Sequence, residues 1–159
     1  TAQSKALADA SQAFDKSVRQ LGQVTAPSQD FVVSRLGKVP GVSDIEPVTE
    51  GNDPNRQLNK AGGYTAAVYF HFSGVEGVDS TLPSIQIGTD SGGCIEVYRT
   101  VEDANKRNSY LASFDGQGVF DTGSHKVLGT VIIRTSHYLT ASQQNALTDE
   151  IEAILTELD

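Results

Sequence analysis

The sequence predicts an α+β fold, a two-layer sandwich in which one mostly antiparallel sheet of roughly three to five strands carries helices on one face. Three stretches of the chain predict it. Residues 64–72 alternate apolar and polar side chains, as a half-buried strand does. Residues 127–135 are the most β-branched run. Residues 140–158 open with a capping box, Thr-Ala-Ser-Gln, and then repeat apolar residues at helical spacing.

The first predicted element is a helix over residues 1–24. Its apolar residues recur at helical spacing and leave a narrow stripe, which suits a linker helix or stalk that lies against a surface. The stripe consists of Leu7, Phe14, Val18 and Leu21. We therefore divide the chain into an N-terminal helix, 1–24, and a single α+β domain, 25–159. A second short helix is predicted between Pro27 and Gly37.

The middle of the chain predicts a loop at 41–63 and then the strand 64–72. Within that strand, Val68 and Phe70 face one way, whereas Tyr69 and His71 point to the opposite face, which we expect to be partly open. A short strand is predicted at Ile85 and Ile87, and a further strand at 94–99.

The last third predicts a helix from Thr100 to about Phe114, because Thr-Val-Glu-Asp supplies an N-cap and first-turn acids. One central strand follows at 127–135. The final helix then buries an apolar face against the sheet.

Length and charge narrow the possible partners. The 159 residues, 38% hydrophobic and 20% charged, suit one folded domain. The formal net charge of -8 argues against nucleic acid and against adsorption to anionic lipid, but it permits a small ligand or a basic partner. No apolar run reaches the ~18 residues of a membrane span. The single Cys94 makes neither an intramolecular disulfide nor a zinc site.

Two short motifs resemble protease loops. Asp90-Ser91-Gly92-Gly93 is similar to the nucleophile loop of chymotrypsin-like enzymes, but only His71 precedes Ser91, and the predicted helices do not fit a double barrel. Phe-Asp-Thr-Gly-Ser at 120–124 is similar to the loop of aspartic proteases. We interpret both motifs as Gly-rich turns. A hydrolase that uses Asp90 and Asp121 stays an alternative if their loops meet at one end of the sheet.

A metal site has one weak candidate. The loop Glu-Gly-Asn-Asp-Pro-Asn at 50–55 offers Asn52, Asp53 and Asn55 as oxygen ligands, but it lacks the twelve-residue calcium pattern. We expect side-chain hydrogen bonds to the backbone to order this turn without a cation. The three histidines, at 71, 125 and 137, have no metal-ligand spacing. No catalytic residue, cofactor or metal is therefore predicted.

Several segments together resemble a known group of domains. They are Thr49–Asn55, Gly62–Thr65, Gly93–Tyr98, Thr100–Ala104 and Gly129–Arg134. The resemblance covers roughly residues 25–158. The group consists of uncharacterised extracytoplasmic domains of actinobacteria and other Gram-positive bacteria, often lipoproteins or proteins behind a single membrane anchor. It implies a cell-envelope location with an anchor upstream, which agrees with a chain that begins at Thr1 and has no signal peptide.

The expected function is that of a noncatalytic domain for interaction or sensing at the extracellular face of the membrane. Its partner would be a protein or a small ligand, with no nucleic acid and no direct membrane insertion of this segment. A small-ligand or ion-binding module that uses loop 50–65 is the alternative. The candidate ligand or partner surface consists of Asp53, Asn55, Tyr69, His71 and Asp90.

Overall fold

A computed structural model describes residues 1–118 and 121–159. Its helices are α1 (Ala2–Gln23), α2 (Gln29–Leu36), α3 (Ser84–Ile87), α4 (Val101–Ala112) and α5 (Ala141–Thr156). Its strands are β1 (Val42–Pro47), β2 (Ala66–Phe72), β3 (Gly92–Val97), β4 (Ser124–Leu128) and β5 (Val131–Thr135). The strands form one antiparallel sheet in the order β1-β2-β3-β5-β4. The predicted α+β class, with one antiparallel sheet and an N-terminal helix, is confirmed.

The first face of the sheet carries the predicted layer of helices. Helices α2 and α5 pack on it and bury an apolar core between helix and strand. Ile151 of α5 lies among Phe70, Ile95 and Ile133, all fully buried. Helix α5 begins at its capping box, in which the Thr140 hydroxyl accepts from the Gln143 N–H and the Gln143 side chain accepts from the Thr140 N–H. The prediction is correct for the position and the start of this helix, which ends at Thr156, before the predicted Leu158.

The second face, expected to be partly open, is also covered. Helix α4 and the loop before β2 pack on it and bury a second core. Tyr69 is only 3% exposed, so the expectation that it points into an open face is wrong. The reason is that this core is built from tyrosines and charged residues whose polar groups bond to one another. Such residues do not look apolar in sequence. The largest members are Tyr64, Tyr69, Tyr98, Leu111 and Ile132.

Three elements differ from the prediction. Strand β1 lies within the stretch predicted as a loop; it is an edge strand, where polar residues and Pro47 are tolerated because one side needs no partner. The stretch around Ile85 and Ile87 is helix α3 and not a strand. The predicted single strand 127–135 is a hairpin of β4 and β5. It turns at Gly129, whose φ of +61° suits glycine.

Helix α1 is exposed along nearly its whole length and contacts α5 near its C-terminal end. Its residues are exposed apart from Gln20 and Gln23, which are half-buried. These two side chains donate to the carbonyl oxygens of Thr156 and Glu157, at 3.2 and 2.9 Å. The apolar stripe of α1 faces solvent, with Phe14 68% exposed. Among the residues described, no helix is both long and apolar enough to cross a membrane.

Candidate functional site

A buried charge cluster lies between the sheet and α4. The Glu96 carboxylate on β3 is 0% exposed. Arg107 of α4 donates to it through Nε and Nη2, each at 3.0 Å. Arg134 of β5 donates through Nη1 at 2.9 Å, and the Tyr98 hydroxyl donates at 2.8 Å. Glu96 pairs with Ile132 across the ladder, so Arg134 is its diagonal neighbour on the same face.

The electrostatics keep Glu96 ionised. Burial by itself raises the pKa of its carboxyl, but the charge of Arg134 and the hydrogen bond and charge of Arg107 bring the pKa below its ordinary value. Burial lowers the pKa of Arg107, and the contact with Glu96 more than reverses this. Two guanidinium groups thus share one carboxylate. The cluster therefore has one positive charge in excess.

A cleft of about 480 Å³ opens beside this cluster, between α3, α4 and the start of β4; we call it the α4 cleft. Its polar lining includes Asn55, Tyr69, Thr89, Arg107, Thr122 and Arg134. Its apolar lining includes Ile85, Ile87, Tyr110, Leu111 and Phe114. Among the described residues that line it, none is Asp or Glu, although the chain has 20 acidic residues.

Two polar atoms of the α4 cleft lining are buried without a partner. Neither Nε of Arg134 nor the Thr122 hydroxyl oxygen makes a hydrogen bond within residues 1–118 and 121–159. Arg134 as a whole is 7% exposed. A buried polar group without a hydrogen bond costs about 1–3 kcal/mol, and such exceptions are rare in native proteins. Two of them on one cleft make it the candidate binding site.

The candidate loop 50–65 contributes to this cleft through Asn55. The Asn55 amide donates to the Tyr69 hydroxyl at 3.2 Å, so these two candidate residues lie together. Asp53 is not among the residues that line the cleft. Its carboxylate accepts hydrogen bonds from the N–H groups of Asn55, Gln57 and Leu58 at 2.7–2.9 Å and from the Tyr64 hydroxyl. Burial alone would raise the pKa of Asp53, but these hydrogen bonds lower it.

The turn at 52–55 is therefore ordered by side-chain hydrogen bonds to the backbone, as its residues predicted. The Asn52 side chain also takes part, since its oxygen accepts from the Thr49 N–H at 2.6 Å. The Asn55 side chain differs from the prediction, because it bonds to tyrosine rather than closing a turn. Within the described part of the chain, no three His, Cys, Asp or Glu side chains form a group that suits a metal ion.

The described parts of the two protease-like motifs lie at the end of the sheet near the cleft: Asp90 and Ser91 belong to a 3₁₀ turn, and residues 121–123 lead into β4. The buried Ser91 hydroxyl donates to the Phe70 carbonyl oxygen at 2.8 Å. Among the described residues, His71 makes one side-chain hydrogen bond, through Nδ1 to the carbonyl oxygen of Ser91 at 3.0 Å, and its buried Nε2 makes none. The arrangement is therefore not that of a serine nucleophile with its base.

The two aspartates of these motifs are also engaged locally. The Asp90 carboxylate lies 2.8 Å from Nδ1 of His137, and the Asp121 carboxylate accepts from the Gly123 N–H at 3.0 Å. Their loops do meet, because Thr89 and Thr122 line the same cleft. Phe120, the first residue of the second motif, lies outside the described residues. Asp90 and His71 are thus placed near the cleft but are not among its lining residues.

Glu96, Arg107 and Arg134 were not among the site residues predicted from the sequence. A signal for two of them was present, because Glu96 and Arg134 each interrupt a buried strand, and charged residues are almost never fully buried unless paired. Arg107 gave no such signal, since arginine is ordinary on a helix. Comparison of the chain with protein-family models, curated proteins and solved structures gave no match.

Proposed function

We propose that this chain is a noncatalytic ligand-binding domain, of the sensing type, and that the α4 cleft is its binding site. The observation that carries the proposal is the pair of buried, unpartnered polar atoms, on Arg134 and Thr122, at one concave surface. Ligand sites combine an apolar lining with a few converging polar groups, and this cleft has both. By contrast, the groove of about 350 Å³ beside α5, near Phe72 and Leu147, has a mainly apolar wall.

The chemistry of the lining favours binding over catalysis. A general acid or base needs a pKa near the working pH. The cleft lining contains Arg107 and Arg134, and guanidinium groups stay charged. Burial raises the pKa of Tyr69 above its ordinary value, so this hydroxyl stays protonated. These groups can hold and orient a ligand, but they do not exchange protons near neutral pH.

The proposed location is the extracellular face of the cell membrane, with an anchor upstream of residue 1. Its support is the resemblance to extracytoplasmic, lipoprotein-type domains of Gram-positive bacteria. Protease treatment of intact cells that express the full-length protein tests it. We expect the domain to be degraded in intact cells. Survival until the cells are lysed would contradict an extracellular location.

A fragment screen by ¹H–¹⁵N NMR tests the binding function. We expect several small molecules to shift amide signals at Asn55, Thr89 and Thr122, which line the cleft. Gln86 is an exposed lining residue, so Gln86→Trp should fill the cleft and abolish these shifts. Gln3→Trp on the exposed α1 is the matched control and should bind like the parent. A screen that finds no fragment in this cleft would refute the proposed function.

A further inference from the structure

We infer that the ligand of the α4 cleft is a small organic acid, a carboxylate attached to an apolar or aromatic body. This inference rests on the proposed binding function and adds the chemical class of the ligand. Three observations carry it: the positive charge at the cleft, the guanidinium nitrogens of Arg134 that make no hydrogen bond to the described residues, and the apolar side chains of the lining.

The local charge favours an anion. Arg107 and Arg134 together carry two positive charges, and the buried Glu96 neutralises one. None of the described lining residues is acidic, whereas the whole chain has a formal net charge of -8. The cleft is thus a positive site in a negative protein. An anion would be attracted to it, and a cation would meet an uncompensated guanidinium.

The unpaired groups are donors. Arg134 uses Nη1 for Glu96, which leaves Nε and Nη2, the two nitrogens on one edge of the planar guanidinium, without hydrogen bonds to the described residues. That edge matches the two oxygens of a carboxylate, the bidentate geometry that arginine forms with such groups. The Thr122 hydroxyl can donate as well. The Tyr69 oxygen accepts from Asn55, and its own O–H makes no hydrogen bond within the described chain. A ligand that satisfies these groups must supply acceptors.

The lining of the cleft also includes apolar and aromatic side chains from α3 and from α4 and its C-terminal end. Ile85, Ile87 and Leu111 line the cleft together with Tyr110 and Phe114, whose rings pack edge to face at 5.1 Å. A volume of about 480 Å³ lies in the range of small-molecule sites. The ligand therefore pairs its carboxylate with Arg134 and packs an apolar body against these apolar and aromatic side chains.

Isothermal titration with four probes tests the inference. The probes are phenylacetate, its neutral analogue phenylacetamide, acetate and inorganic phosphate. We expect phenylacetate to bind at least about ten-fold more tightly than each of the other three. It alone combines a negatively charged carboxylate with an aromatic ring. Phenylacetamide binding in the cleft as tightly as phenylacetate would overturn the carboxylate inference and leave the binding function standing. Tighter binding of phosphate would also overturn it.

Variants locate the contact. Thr122→Val and Arg134→Lys should each weaken phenylacetate by about ten-fold, because each removes donors while lysine keeps a charge beside Glu96. Arg35→Lys changes a buried, ion-paired arginine that contacts Glu157 and Asp159, and it should bind like the parent. If the Arg134→Lys protein does not fold, the phenylacetate affinity of Thr122→Val tests the assignment. Unchanged affinity in a folded Thr122→Val protein would overturn the assignment of the ligand to this cleft.

Discussion

The two faces of the sheet are held by different forces. On the α5 face the core consists of hydrophobic residues from α2, α5 and the central strands. On the α4 face a smaller core surrounds Glu96, Arg107, Arg134 and Tyr98, which bond to one another. Apolar burial is non-directional and stabilises in proportion to the area removed from water. A buried ion cluster contributes little net stability, because desolvation offsets attraction, but it requires one geometry.

The difference assigns separate tasks to the two faces. We infer that the larger apolar core on the α5 face contributes more to the net stability, whereas the α4 face positions the groups that line the cleft. Substitutions on each face and changes of pH test this division.

Removing the centre of the charge cluster should have the largest effect. Glu96→Ala leaves Arg134 buried without its only described partner, so we expect the free energy of unfolding to fall by about 3–5 kcal/mol. Urea denaturation followed by circular dichroism measures it. Glu102→Ala, at an exposed glutamate paired with Lys106, is the control and should change it by less than about 0.5 kcal/mol. A loss below about 1 kcal/mol for Glu96→Ala would contradict the prediction that the buried Arg134 depends on Glu96 as its ion-pair partner.

On the α5 face, Ile151→Ala should lower the free energy of unfolding by about 2–5 kcal/mol, because it leaves a cavity in a fully buried apolar core. Phe14→Ala on α1 removes a larger side chain that is 68% exposed, and it should cost less than about 0.5 kcal/mol. Thermal melts and urea titrations measure both. An Ile151→Ala protein that melts with the parent would contradict the packing of α5 on the sheet.

Acid should weaken the α4 face selectively. The pKa of Glu96 is lower in the folded protein than the ~4.3 of an unfolded glutamate, so its contribution is complete above that value. That contribution is lost as the pH falls from about 4.3 through the lower folded pKa, because in this range the unfolded glutamate binds a proton and the folded Glu96 does not. We expect the free energy of unfolding to decrease below about pH 5. Glu96→Gln should reduce that decrease; an identical pH profile for parent and Glu96→Gln would contradict it.

Thr122→Val should raise the free energy of unfolding by about 1 kcal/mol, because valine has the same shape without the buried, unpaired hydroxyl. The same exchange at Thr140 is a matched control with the opposite sign. Thr140 caps α5, and its loss should cost about 1 kcal/mol. A Thr122→Val protein less stable than the parent would show that this hydroxyl has a stabilising partner.

Calcium should have no effect on stability. The Asp53 carboxylate already accepts four hydrogen bonds from its own loop and Tyr64, so we expect identical melting temperatures with calcium and with a chelator. A calcium-dependent rise in melting temperature that Asp53→Ala removes would contradict this.

Local interactions explain what the sequence determined by itself. Helix α5 could be placed because its cap, Thr140 with Gln143, and its apolar spacing lie within one short segment. The alternation of apolar and polar residues in β2 is local in the same way. So are the hydrogen bonds between side chains and backbone within the turn at 52–55. These elements, and with them the α+β class, follow from contacts between residues a few positions apart.

Contacts between distant residues decided the rest. Edge strand β1 exists because β2 supplies its hydrogen bonds, and its polar sequence alone reads as a loop. The cluster joins Glu96 to residues 11 and 38 positions away, on a helix and on another strand. Of the five candidate surface residues, Asn55 and Tyr69 line the cleft, while Asp53, His71 and Asp90 bond beside it. Only tertiary packing brings Arg107 and Arg134 to one carboxylate, because a sequence pattern does not record which charges are buried together.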